Sequence, residues 1–157
     1  TGGLGEMCLF RGPGGVPPCS LWTKLVEAKR WGHLLACGSN MGSDATASPM
    51  GIVQGHAYSI LSVREVQGLR LIKLRNPWGQ GEWMGTFSDH SPAWTPELRA
   101  RLRLQVKDDG VFWMDFNDFV REFECIFLCR IFPSPDFERQ TIQGSWQFGR
   151  AQPFGLA

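Results

Sequence analysis

An α+β domain, with an antiparallel β-sheet core and flanking helices, is the fold class this sequence predicts, and three observations carry it. Ile60, Leu61 and Val63, then Leu69, Leu71, Ile72 and Leu74, form two apolar runs on either side of Gln67-Gly68 and read as a hairpin. Two later runs, Val111 to Met114 and Cys125 to Phe132, have the length and composition of buried strands. Segments from Ser20 and from Thr95 carry helical spacing and helix-start chemistry.

In chain order, Gly2, Gly3, Gly5, Gly12, Gly14 and Gly15, with Pro13, Pro17 and Pro18, predict a loop-rich opening without regular structure. Thr1-Gly2-Gly3 reads as an excision point within a longer chain. From Ser20, Leu21, Trp22, Leu25, Val26 and Ala28 recur on one helix face, with Lys24, Glu27 and Lys29 on the other; Ser20 is the expected cap and Gly32 the expected stop. Leu34 to Cys37 reads as a short strand, and Gly38 to Met50 is small and polar enough for a mobile loop.

Beyond the hairpin, Trp78, Trp83 and Phe87 are aromatic anchors in a loop. Thr95-Pro96-Glu97 then starts a helix: a capping hydroxyl, a proline whose missing N–H costs nothing in the first turn, and an acid at the positive end of the dipole. Leu98, Leu102 and Gln105 are expected on its inner side, with Arg99, Arg101 and Arg103 in solvent. Lys107-Asp108-Asp109-Gly110 is a tight turn into the Val111 strand, and Asp115 or Asn117 caps a short helix bearing Phe116, Phe119, Val120 and Phe123.

Bulk properties exclude some functions. The 157 residues carry a formal net charge of +1 with scattered basic side chains, so no nucleic-acid or anionic-membrane surface is expected. Apolar runs are too short for a membrane segment, and no signal peptide is visible. Five cysteines without Cys-x-x-Cys pairing do not suggest zinc; free thiols in a reducing, intracellular compartment, most simply the cytoplasm, account for them.

The chemistry lies at the open end of the hairpin. Antiparallel pairing brings the far ends of its strands together, so His56 and Asn76 can meet although twenty positions separate them. A carboxamide oxygen accepting from one imidazole nitrogen fixes the ring and its tautomer, leaving the other nitrogen for a nucleophile. Trp78 would cap that bond against water.

Gly55-His56-Ala57-Tyr58-Ser59, followed by Arg75-Asn76-Pro77-Trp78-Gly79, closely resembles the histidine and asparagine motifs of the calpains, calcium-dependent members of the papain-like cysteine proteases. The resemblance covers most of the chain. It implies that residues 1–133 are the second, His/Asn-bearing half of a protease core, and that residues 134–157, with Gln143-Gly144-Ser145-Trp146, lead into a following β-sandwich domain.

His56 and Asn76 would then be catalytic, Trp78 would shield them, and Gly55 would border the substrate cleft. The implied partners are protein substrates and an upstream half of the core that carries the nucleophilic cysteine, so the fragment alone should be inactive. Cys37 precedes His56 by nineteen residues, whereas in papain-like enzymes the nucleophile opens a helix about 130–150 residues before the histidine. It is therefore expected to be a structural or loop-lining thiol. The alternative is a non-catalytic calpain relative that binds calcium or partners.

Glu82, Asp89 and Asp109 are the second chemical signal. Calcium takes six to eight oxygens, commonly two or more carboxylates with carbonyls from adjoining loops. The resemblance implies such a site from Glu82, Asp89, Asp109 and the Lys107 carbonyl, with one departure: Val111 stands where many calpains have an acid.

Overall fold

The computed structural model of the chain describes residues 3–132. Six strands form a single sheet: β1 (Leu4–Leu9), β2 (Leu34–Ser39), β3 (Ala57–Val66), β4 (Leu69–Arg75), β5 (Val111–Asp115) and β6 (Phe123–Arg130). The order across it is β1-β6-β2-β3-β4-β5, and every neighbouring pair is antiparallel. Helices α1 (Pro18–Arg30), α2 (Pro96–Leu102) and α3 (Phe116–Glu122) flank it. The architecture is the expected α+β one.

The β3–β4 hairpin closes through Gln67 and Gly68, with φ of 51° and 76°. Two successive positive φ values make a two-residue loop that matches strand twist, and glycine adopts the second at no steric cost. The register runs from Val66↔Leu69 to Ser59↔Arg75, with a bulge at Leu61.

Alternation along β5 sorts the core into two clusters. Phe112 and Met114 join Leu21, Leu25, Tyr58, Ile60 and Phe119 on one face, while Trp113 points into a smaller cluster with Leu71, Phe87, Trp94 and Leu98 on the other. The sheet is thus covered on both sides at its β4–β5 end. At the β1–β6 end, Met7, Leu9, Leu34 and Phe127 remain exposed.

The helix stops and starts follow local chemistry with two corrections. Gly32 (φ 73°) does end α1, where the N–H groups of Gly32 and His33 donate to the carbonyls of Lys29 and Ala28. Its start lies earlier than Ser20: Pro17 is the cap and Pro18 the first helical residue, a position where proline's fixed φ fits. The Thr95 hydroxyl caps α2 by accepting from Leu98 N–H at 3.2 Å, but the helix ends at Leu102, and Gln105 is exposed beyond it. Asp115 rather than Asn117 caps α3, accepting from Asn117 N–H at 2.7 Å.

One strand is unexpected and another exceeds its expected bounds. The opening contains β1, which is bound to β6 along its whole length and pinned by Glu6 to Lys24 and Arg130. Strand β2 continues through Gly38 and Ser39, which pair with Cys125 and Phe123. A Cβ on Gly38 would lie 2.8 Å from Cys125 Sγ, so glycine permits that close pairing. The linker expected at 134–157 lies outside the described residues.

Candidate active site

The open end of the hairpin brings His56 and Asn76 together. His56 Nε2 lies 3.0 Å from Asn76 Oδ1. Asn76 is wholly buried, and its surroundings fix which way the amide points. Oδ1 also accepts from Trp78 N–H at 3.1 Å, while Nδ2 donates to the carbonyls of Gln80 (2.7 Å) and Gly81 (3.3 Å). An oxygen therefore faces the imidazole, and an acceptor there requires Nε2 to carry the proton. Nδ1 is left unprotonated in the neutral ring.

Aromatic rings enclose this pair. The Trp78 ring sits 4.3 Å from the His56 ring, centroid to centroid, tilted by 44°, and Tyr58 meets the imidazole edge-on at 5.1 Å. Trp78 stays half exposed, so it forms an outer wall rather than core. Burial pushes the Tyr58 phenol up to about 12, and its oxygen accepts from Val53 N–H at 2.9 Å, tying down the loop before the histidine.

Gly55 is exposed at φ 58°. A Cβ there would lie 2.4 Å from the Gly42 carbonyl oxygen, so close packing of loop on loop already requires glycine. Cys37 is fully buried, with its sulfur 3.8 Å from the Tyr58 carbonyl, and burial holds its thiol well above the ordinary range. A thiol that resists ionisation and cannot reach solvent is inert as a nucleophile. Cys8, Cys19, Cys37 and Cys125 are free thiols.

Residues 1–130 match the model of the family described as calpain family cysteine protease. The chain belongs to that family. It is 45% identical over 152 residues to the calpain-type cysteine protease DEK1 of Zea mays, covering 94% of this chain and 7% of the relative. Its identity to the Arabidopsis thaliana protein of the same name is 42% over 152 residues, with the same coverage. The mouse calpain-2 catalytic subunit is 34% identical over 166 residues, covering 95% of this chain and 23% of that protein. The chain thus spans under a quarter of these relatives.

The acidic loops of this calpain domain lie beside the histidine and asparagine. Glu82 Oε1 accepts from the N–H groups of Asp109 (3.1 Å) and Gly110 (2.8 Å), and Asp89 Oδ2 accepts from Lys107 N–H at 2.9 Å. Asp109 turns its own Oδ1 to Val111 N–H at 3.1 Å. The carboxylates therefore fasten loop 79–94 to the 107–110 turn. Burial raises the carboxyls of both Glu82 and Asp89; backbone N–H bonds oppose the rise, and neighbouring carboxylates add to it.

One buried oxygen, Asp89 Oδ1, has no partner. An unpaired buried carboxylate oxygen beside other acids is an environment that a cation would relieve, so the donor types fit calcium. Their arrangement supplies fewer oxygens than its usual shell: no group of three or more His, Cys, Asp or Glu side chains among the described residues is placed to hold a metal. Nor is any helix among them long and apolar enough to cross a membrane.

Sequence reasoning did not find Ser39, Asn40 or Arg11. Their hydrogen bonds join segments far apart in the chain, and no local pattern announces them.

Proposed function

We propose that this chain supplies the catalytic imidazole and its orienting carboxamide to a calpain-type cysteine endopeptidase, with the nucleophilic cysteine carried elsewhere in the intact protein. The observation that supports this most is the 3.0 Å contact of His56 Nε2 with a buried amide whose orientation four hydrogen bonds define. With Nε2 protonated, Nδ1 is the nitrogen able to accept a proton from a thiol.

In the proposed reaction that transfer gives a thiolate and imidazolium pair, and the sulfur attacks the scissile carbonyl carbon. His56 then returns the proton to the departing amine as the C–N bond breaks, leaving an acyl-thioester. Deprotonated again, it takes a proton from water, whose oxygen attacks the thioester to release the acid and restore the thiol. Asn76 holds the ring plane throughout, and Trp78 keeps water from their hydrogen bond. The substrates would be proteins, entering beside Gly55 and the 40–50 loop.

Calcium, when bound, would be held by Glu82, Asp89, Asp109 and the Lys107 carbonyl, supplying charge neutralisation rather than bond-making chemistry. Glu82 and Asp89 would then ionise without mutual repulsion.

In the full-length protein, His56→Ala should lower peptide hydrolysis by roughly a thousandfold or more, the scale of lost general acid–base catalysis. The chain on its own should hydrolyse nothing. Near-normal turnover by His56→Ala would remove the mechanism, whereas no turnover by the intact wild-type protein would favour a relative that binds without cleaving.

A further inference from the structure

The imidazole is held by more than its ring nitrogen. Ser39, at the end of β2, is only 3% exposed, and its hydroxyl is bonded on both sides to the backbone of His56. Oγ accepts from His56 N–H at 2.9 Å and donates to the His56 carbonyl at 3.1 Å, while Ser39 N–H donates to that same carbonyl at 2.9 Å. The next residue continues the clamp, since the Asn40 carbonyl accepts from Gly55 N–H at 2.8 Å.

Asn40 is itself anchored. Its N–H donates to the Glu122 carbonyl at 3.1 Å, and its side-chain Nδ2 donates to the Arg121 carbonyl at 2.9 Å. Arg11 bridges the same elements, donating to Asn40 Oδ1 at 3.1 Å and to the Arg121 carbonyl at 2.6 Å. The end of α3 thus serves as a fixed point for the segment carrying His56.

We propose that Ser39 is a positioning residue for the reaction assigned above, fixing the main chain of His56 so that the Asn76 contact sets ring orientation alone. This rests on the proposed role of His56. Two features separate it from ordinary strand pairing. The pairing of β2 with β3 runs from Ala36↔Ser59 to Gly38↔Ala57, and beyond it Ser39, itself paired with Phe123 of β6, holds His56 by a side-chain hydroxyl as well as by its backbone N–H. Among the described residues, the bonds of the hydroxyl go solely to the residue that bears the imidazole.

A ring hinged at one nitrogen needs a fixed Cα to present the other, and a misplacement of about 1 Å can cost on the order of a hundredfold in rate. Removing the hydroxyl should therefore act on the chemical step, without touching the substrate or the shared proton.

The test uses the full-length protein with a peptide substrate. Ser39→Ala should lower kcat by roughly ten- to a hundredfold, with KM nearly unchanged and circular dichroism as in the wild type. It should also slow iodoacetamide alkylation of the nucleophilic thiol near neutral pH, because thiolate formation depends on the placed imidazole. Ser39→Thr, which keeps the hydroxyl, should recover most of both. If Ser39→Ala fails to fold, Ser39→Cys, close in volume but a poor acceptor, should show the same loss of kcat.

Wild-type kcat and alkylation in a folded Ser39→Ala, with His56→Ala inactive, would overturn this proposal and leave the function standing. Activity in His56→Ala would overturn both. Failure of Ser39→Ala and Ser39→Cys alike to fold would assign Ser39 to stability and end the positioning role.

Discussion

Asn76 is wholly buried and spends both its oxygen and its nitrogen twice, while Asp89, buried nearly as deeply, leaves one oxygen with no partner. The two clusters share a boundary at Gly110. Its carbonyl accepts from Asn76 N–H at 2.8 Å, and its own N–H donates to Glu82. Side by side, one cluster is fully bonded without a ligand and the other is not. The difference separates a part preorganised for the chemistry proposed above from a part whose charge state sets how well two loops hold together.

The largest effect that would break the contrast is expected at Asn76. Asn76→Ala removes the ring's partner and unties the 78–81 turn, so kcat should fall about a hundredfold and stability by roughly 2 kcal/mol from backbone groups left unbonded. Kinetics and chemical denaturation of the same protein check both. Asn76→Asp sharpens the point. It keeps an oxygen toward His56 but sets another against the Gln80 and Gly81 carbonyls, so it should be at least as unstable as Asn76→Ala. A stable Asn76→Asp would show that the amide nitrogen's bonds carry little weight.

A smaller effect is expected at Glu82. Glu82→Ala leaves the exposed Asp109 N–H to water but the N–H of buried Gly110 without its acceptor, and should cost about 1 kcal/mol. Because Gly110 also braces Asn76, a fall in kcat beyond the change in folded fraction would reveal coupling between the clusters. Glu82→Gln retains an acceptor oxygen without the charge and should melt at or slightly above the wild type. Equal melting temperatures for all three proteins would mean the loops are held by Trp83 and Trp94 instead, whose indole N–H groups bond the Thr86 and Ser88 carbonyls.

The contrast also explains what could be read in advance. The hairpin and its two end residues were legible because turn residues, strand alternation and register are local properties that Gln67-Gly68 and the flanking apolar runs display. Ser39 was not, since its role exists only once β2 lies beside β3. The acids were legible as residue types, but their turn toward backbone N–H groups depends on how closely two loops approach. Strand β1 was hidden for a different reason: an edge strand with Leu4, Met7 and Leu9 exposed and Gly5 within it shows little of the alternation that marks a strand.

The smallest predicted effect tests the charge of the acidic cluster. Burial raises the carboxyls of Glu82 and Asp89 in the folded state. A raised folded value means that the native state binds protons more readily than the unfolded chain. The stability involved is then fully present below the ordinary carboxylate range and is lost as pH rises through the elevated folded values. At neutral pH, without a cation, both groups therefore oppose folding. Asp89→Asn removes one of these charges while keeping an acceptor for Lys107 N–H, so it should melt slightly higher than the wild type at pH 7, with the gap closing as pH falls through the raised folded value to the ordinary aspartate range. Calcium should raise the wild-type melting temperature at pH 7 and do so less for Asp89→Asn and Asp109→Ala. If calcium shifts none of the three while the pH-dependent gap remains, the cluster works as a carboxylate-to-backbone latch whose strength is set by protons alone.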